Sequence, residues 1–152
     1  MDTFTYSHSD AELLNQPIGY WSWAAHKSVV GHIRAGLAEV DLTQPQWWVI
    51  NRAAVGEQTR EEVTAMLKGY LGVGDALGPE IDNLVERDVL ATDAERHLVL
   101  TPKGTELLQE AGQRQTKTLA QIHQGVSDEE LLTTLKVLQR MIHNTDGKAW
   151  HH

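Results

Sequence analysis

The sequence contains no cysteine, which excludes a disulfide framework and any metal site built on thiolates. It has no apolar run near the roughly 18 residues that a membrane-crossing helix requires. Its opening residues carry no signal-peptide pattern, so a cytoplasmic protein with no membrane partner is the expectation. Positive charge is scarce: 13 Lys and Arg stand against 21 Asp and Glu, a formal net charge of −8. Nucleic-acid binders ordinarily carry a basic face, so a chain this acidic needs a local basic patch to do the same. No P-loop, G-x-S-x-G, H-E-x-x-H or dinucleotide fingerprint occurs. The histidines are scattered, with no HxxxH pair. Neither a metal site nor a cofactor is expected, and no residue is singled out as catalytic.

What the chain does have is helical periodicity. At 152 residues, 41% hydrophobic and 22% charged, it fits one compact unit, with room for a helical appendage completed by a partner. Residues 1–15 are polar and read as a loosely held arm, after which Pro17 suits the first turn of a helix. Ile18, Trp21, Ala25, Val29, Ile33 and Leu37 then recur at helical spacing to about Glu39. A second stripe of Trp23, Val30 and Arg34 widens the sticky surface beyond what one neighbouring helix covers.

In "DLTQPQWWVINRAA", Thr43 is placed to cap a short helix that buries Trp47, Ile50 and Ala54, with Pro45 in its first turn. Thr59 and Glu62 form a capping box for a helix facing inward with Val63, Met66, Leu67 and Tyr70, stopped by Gly72 or Gly74. A third helix runs from about Pro79, or slightly earlier, to Asp88 with Ile81, Leu84 and Val85 inward. The period then changes: Val89–Ala91, a polar tip at 93–95 and Leu98–Leu100 read as a β-hairpin. Thr101-Pro102 opens a long helix to about His123, Gly125 breaks it, and Ser127 caps a last helix with Leu131, Leu135, Leu138 and Ile142 on one face.

Short helices followed by a hairpin make a winged helix-turn-helix, here expected over 42–104. The flanking long helices, over 1–41 and 105–152, look like a dimerisation platform. The expected fold class is mainly α with a short β-hairpin wing. With "LTQPQWWVINRA" (42–53), "IDNLVERDVL" (81–90), "HLVLTPKGTELL" (97–108) and "SDEELLTTLKVLQRMIHN" (127–144) in this order and spacing, the chain resembles the MarR family of dimeric transcription regulators over nearly its whole length. The resemblance implies a homodimer with interleaved terminal helices, two wings projecting toward adjacent major grooves of double-stranded DNA, and a small anionic or aromatic ligand bound between platform and wing. The bland alternative is a helical core with an incidental hairpin.

The helix in the DNA-reading position is unusual. Leu77, Gly78 and Pro79 stand where the family usually has Thr, Ser or Arg, and between Asp75 and Asp88 there are five acids and one base, Arg87. Pro79 is expected to start the helix, at its first position, because further inside it would cost about 3 kcal/mol. The wing retains only Asp93, Arg96 and His97 of the family's basic pattern. Over 58–104 there are nine acids and five bases. The DNA-contacting candidates are Arg87, Arg96, His97, Lys68 and Arg60, with Lys103 as a further cation.

The ligand-contacting candidates are Trp21, Trp23, His26, His32 and Arg34 on the first helix with Trp48 and Asn51 on the second. Trp48 offers a flat apolar wall and one N–H, or else simple packing between domains. Arg34 offers bidentate hydrogen bonds to an anion, or an ion pair with Glu39 or with an acid of a partner. Two other functions stay open. One is a dimer of this fold that has lost DNA reading and binds small molecules or a partner protein. The other is an enzyme that uses His26 or His32 in the aromatic cleft.

Overall fold

In the computed structural model, residues 4–71 and 76–149 are described. The expected stops at Gly72 and Gly74, Asp75 and the terminal His151-His152 lie outside them. The elements are α1 (Asp10–Leu13), α2 (Ile18–Ala38), α3 (Gln44–Val55), α4 (Arg60–Leu67) with a 3-10 turn at Lys68–Tyr70, α5 (Leu77–Glu86), β1 (Leu90–Thr92), β2 (Leu98–Leu100), α6 (Pro102–Ile122) and α7 (Asp128–Asn144). This is the mainly helical class with a two-stranded antiparallel wing, register Leu90–Leu100, Ala91–Val99 and Thr92–Leu98.

Capping chemistry starts the helices where the sequence places it. Thr43 with Gln46, Thr59 with Glu62 and Ser127 with Glu130 form reciprocal capping boxes, each satisfying two otherwise unpaired backbone donors. A fourth box, Ser9 with Glu12, opens the single turn α1 inside the segment expected to be a plain arm. Pro17 is the N-cap residue of α2, one place earlier than expected.

One core lies between α3, α4, α5, the wing and the facing sides of α2 and α6. Leu37, Val49, Ile50, Val63, Ile81, Leu84, Val89 and Ala111 in it are completely buried. Four inward assignments shift, one of them Tyr70 just after α4, which is 36% exposed. In α3 the buried set is Gln46, Val49, Ile50 and Ala53, while Ala54 faces solvent and Trp47 is half-buried. In α5, Leu77, Ile81 and Leu84 point in and Val85 is 44% exposed. Pro79 is the third residue of α5, not the first. The cost is avoided all the same, because the first four N–H groups of a helix have no intrahelical acceptor to lose.

Two close approaches fix the junctions. A Cβ on Gly104 would lie 2.1 Å from the Val89 carbonyl oxygen, and one on Gly36 would lie 2.7 Å from Thr118 Oγ1 where α2 crosses α6. The outer helices are bare. No residue of α7 is buried, and Ile18, Tyr20, Trp21 and Trp23 on α2, Leu119 on α6, and Leu132, Leu135 and Met141 on α7 are all exposed. No helix among the described residues is long and apolar enough to cross a membrane.

Candidate DNA-facing surface and ligand pocket

Three polar side chains of α5, Glu80, Asp82 and Asn83, are engaged with their neighbours. Thr43 Oγ1 donates to Glu80 Oε2 at 2.8 Å, and Gln46 Nε2 donates to Asn83 Oδ1 at 3.0 Å. From α4, Arg60 Nη1 meets Asp82 Oδ1 at 2.7 Å while its Nη2 donates to the Gly78 carbonyl at 3.1 Å. Arg87 donates to Asn83 Oδ1 at 3.3 Å, and Lys103 Nζ donates to the Arg87 carbonyl at 2.9 Å. Two of the cations expected to face DNA, Arg60 and Arg87, thus brace α5, although Arg60 keeps 41% of its side chain exposed. Lys68 is exposed in the 3-10 turn. The outward stripe of α5 is Pro79, Asp82, Asn83 and Glu86, all exposed and none basic.

The wing tip is organised by Asp93. Its Oδ1 accepts the backbone N–H groups of Glu95 at 2.9 Å and His97 at 2.8 Å, and its Oδ2 lies 3.2 Å from His97 Nδ1. The His97 backbone N–H is the main reason the Asp93 carboxyl titrates below its ordinary range. Arg96 follows with φ +69°, a left-handed conformation that arginine rarely adopts. Arg96 is exposed where the turn closes, directly after its central residues Ala94 and Glu95. The wing is anchored to the winged unit by the Leu98 N–H to the Gln58 carbonyl at 2.8 Å and the Thr59–His97 bridge.

Behind this surface, α3 and α4 enclose a pocket of about 370 Å³ lined by Trp47, Trp48, Asn51, Arg52, Leu67 and Tyr70. The Trp48 and Tyr70 rings are 5.7 Å apart and inclined at 52°. Asn51 Nδ2 donates to the Trp47 carbonyl at 2.7 Å and Arg52 Nε to Gln58 Oε1 at 2.9 Å. The lining offers flat apolar walls with one amide and one guanidinium, a composition suited to a small planar ligand with polar substituents.

No protein-family model and no curated protein matches the chain. Solved structures do. The transcriptional regulator PcaV of Streptomyces coelicolor superposes with a TM-score of 0.70 at 16% identity, covering 88% of this chain and all of PcaV. The transcriptional repressor CouR gives 0.68 at 22% identity, over 89% of this chain and 98% of its own. The Mycobacterium tuberculosis MarR family protein Rv2887, in complex with DNA, gives 0.64 at 15% identity, over 83% and 98%. The fold is that of the MarR regulators.

Within this MarR-type fold the seven ligand candidates separate. Trp48 and Asn51 line the α3–α4 pocket. His32 lies in an open groove between α2 and α6, where its Nε2 is 2.9 Å from Gln121 Oε1. Arg34 Nε donates to Gln44 Oε1 at 3.3 Å, and Glu39, one acid considered as its partner, pairs with Arg114 instead. Trp21 lines a hollow with Phe4 and Tyr6. Trp23 lies 5.3 Å from the Lys27 ammonium. His26 is exposed on α2 and lines none of these spaces. Trp47, Arg52, Leu67 and Tyr70 were absent from the sequence-level ligand set. The signal for them was helical spacing, since 47, 48, 51 and 52 share one side of α3 and Tyr70 follows Leu67 by three. Among the described residues no group of three His, Asp or Glu is placed to hold a metal.

Proposed function

We propose that this protein is a ligand-responsive, dimeric, DNA-binding transcription regulator of the MarR type. The observation that carries the reading is the exposed Arg96 held at the tip of a wing beside α5, in an architecture shared with regulators. The bare apolar faces of α2, α6 and α7 support a second copy as their cover, with residues 1–41 and 105–152 as platform and 42–104 as the winged unit. In the dimer, the tip arginines enter the narrow groove or grip phosphate. Lys68, Arg87, His97 and the exposed part of Arg60 add backbone contacts. One solved complex of Rv2887 contains p-aminosalicylic acid, and the α3–α4 pocket here takes a ligand of that size and aromatic character. Ligand acts by population shift, because it can displace DNA only by binding better to the form with the wrong wing spacing. Residence in the cytoplasm, beside DNA, belongs to the same reading.

The test is a titration of the purified protein against its own upstream DNA at low and moderate salt, with Arg96→Ala as comparison. Binding that weakens with salt and with the substitution is the expected result. A folded dimer with no duplex binding at low salt refutes it. The second reading, a dimer of this fold that binds small molecules without reading DNA, is favoured by the outward stripe of α5, which carries two carboxylates and no cation.

A further inference from the structure

The acidic stripe of α5 need not be a defect for DNA binding if one of its carboxylates is itself a reading group. Asp82 is the candidate that the geometry singles out. It sits in the second turn of α5, near the helix N-terminus that enters the groove in helix-turn-helix complexes. Its side chain is 68% exposed. Its Oδ1 is held at 2.7 Å by Arg60 Nη1, and the same guanidinium is anchored to the Gly78 carbonyl at 3.1 Å. This bracing has two effects. It biases the carboxylate toward one orientation, with Oδ1 on Arg60 and Oδ2 turned to solvent. It also places a positive charge against the carboxylate, which offsets the repulsion a bare carboxylate meets from flanking phosphates. Beside Asp82, three residues on, Val85 exposes 44% of its surface with methyl groups only.

A carboxylate in the major groove can only accept hydrogen bonds. Guanine presents two acceptors there, thymine presents O4, and adenine sets its N7 acceptor next to its amino donor. Cytosine alone shows a donor, N4–H2, with no acceptor of its own beside it. We infer that the Arg60-braced carboxylate of Asp82 reads a cytosine in each half-site. Val85 beside it suits a neighbouring thymine methyl group. Arg60 is then a positioning residue, acting on the base through Asp82. The inference rests on the regulator reading above and gives α5 the specific role that its lack of basic residues otherwise denies it.

The experiment is selection from randomised duplexes by the wild-type protein and by Asp82→Asn, followed by affinity measurements on the selected site and its single-base variants. The substitution is nearly isosteric and exposed, and circular dichroism checks the fold. Wild type is expected to enrich one invariant cytosine per half-site. Asn pairs best with adenine N6 and N7, so the variant is expected to shift that one position from cytosine toward adenine by about tenfold, leaving the other positions unchanged. Because a negative charge is removed, its binding to unrelated duplex rises at low salt. A purely structural Asp82 would lower affinity at every position alike, and that outcome overturns the inference while leaving the regulator intact. Unchanged base preferences overturn it as well. Absence of any duplex binding by the folded wild-type protein overturns both.

Discussion

If the proposed regulator reading holds, Arg96 is expected to set stability and DNA binding against each other. Its φ of +69° lies in the left-handed region, where a residue with a Cβ loses roughly 1–2 kcal/mol. Glycine escapes that clash but has more freedom to lose on folding, roughly 0.5–1 kcal/mol. The arginine side chain is exposed, and the turn is held by backbone bonds that survive substitution, Arg96 N–H to the Asp93 carbonyl and Asp93 N–H to the His97 carbonyl, both 3.0 Å. Arg96→Gly is therefore expected to stabilise the protein by about 0.5–1 kcal/mol. For a domain of this size that is a rise in Tm of about 1–4 °C. The same change removes a cation from the wing tip, so duplex affinity falls and the dependence of log affinity on log salt flattens by about one unit. Thermal unfolding by circular dichroism, at matched protein concentration, reads the first effect, and a salt series of duplex titrations reads the second. A Tm that falls would refute the strain argument. An unchanged salt slope would refute the placement of Arg96 against phosphate.

Three other substitutions test separate parts of the structure. Gly104→Ala places a Cβ 2.1 Å from a backbone oxygen that cannot move aside, so a loss of about 2–3 kcal/mol is expected in urea unfolding; a loss below about 0.5 kcal/mol would mean that α6 and Val89 are less tightly apposed. Asp93 titrates below its ordinary 3.8, chiefly because the ionised carboxylate accepts the His97 N–H; the stability this brings is complete above that value and is lost as pH falls below it. Unfolding of Asp93→Asn should therefore show a shallower pH dependence than wild type below about pH 4, and parallel curves would count against the Asp93 turn. Trp48→Ala removes one wall of the α3–α4 pocket, and calorimetry with benzoate as probe is expected to show binding weakened about tenfold or more; equal affinity would place the ligand elsewhere.

Much of the fold was legible because local rules decide it. Thr43, Thr59 and Ser127 with their partners three residues on start helices by chemistry that needs no tertiary context. The hairpin announces itself by a switch of period between Val89 and Leu100. The phase of a short helix is less secure: in α3 one residue of rotation separates Ala53, buried, from Ala54, exposed, and two consecutive tryptophans leave the apolar stripe ambiguous. Val85 reads as core from its neighbours in sequence, yet the face it occupies has nothing packed over it. The engagement of Arg60 with Asp82 spans 22 residues and depends on how α4 meets α5, which no local pattern encodes. The same holds for the pocket, since Trp48 and Tyr70 become neighbours only when α3 and the end of α4 pack together.

Gln46 links these parts within one residue. Its Oε1 accepts the Thr43 N–H at 3.1 Å and its Nε2 donates to Asn83 of α5 at 3.0 Å, while the next two residues along the chain, Trp47 and Trp48, form the pocket wall. α3 is thus a spindle, with the pocket on one side and the grip on α5 on the other. Two hydrogen bonds make that grip, Gln46 to Asn83 and Thr43 to Glu80, both from the start of α3. The first turn of α3 therefore stands between the pocket and α5, with Gln46 touching one and its two neighbours in sequence lining the other.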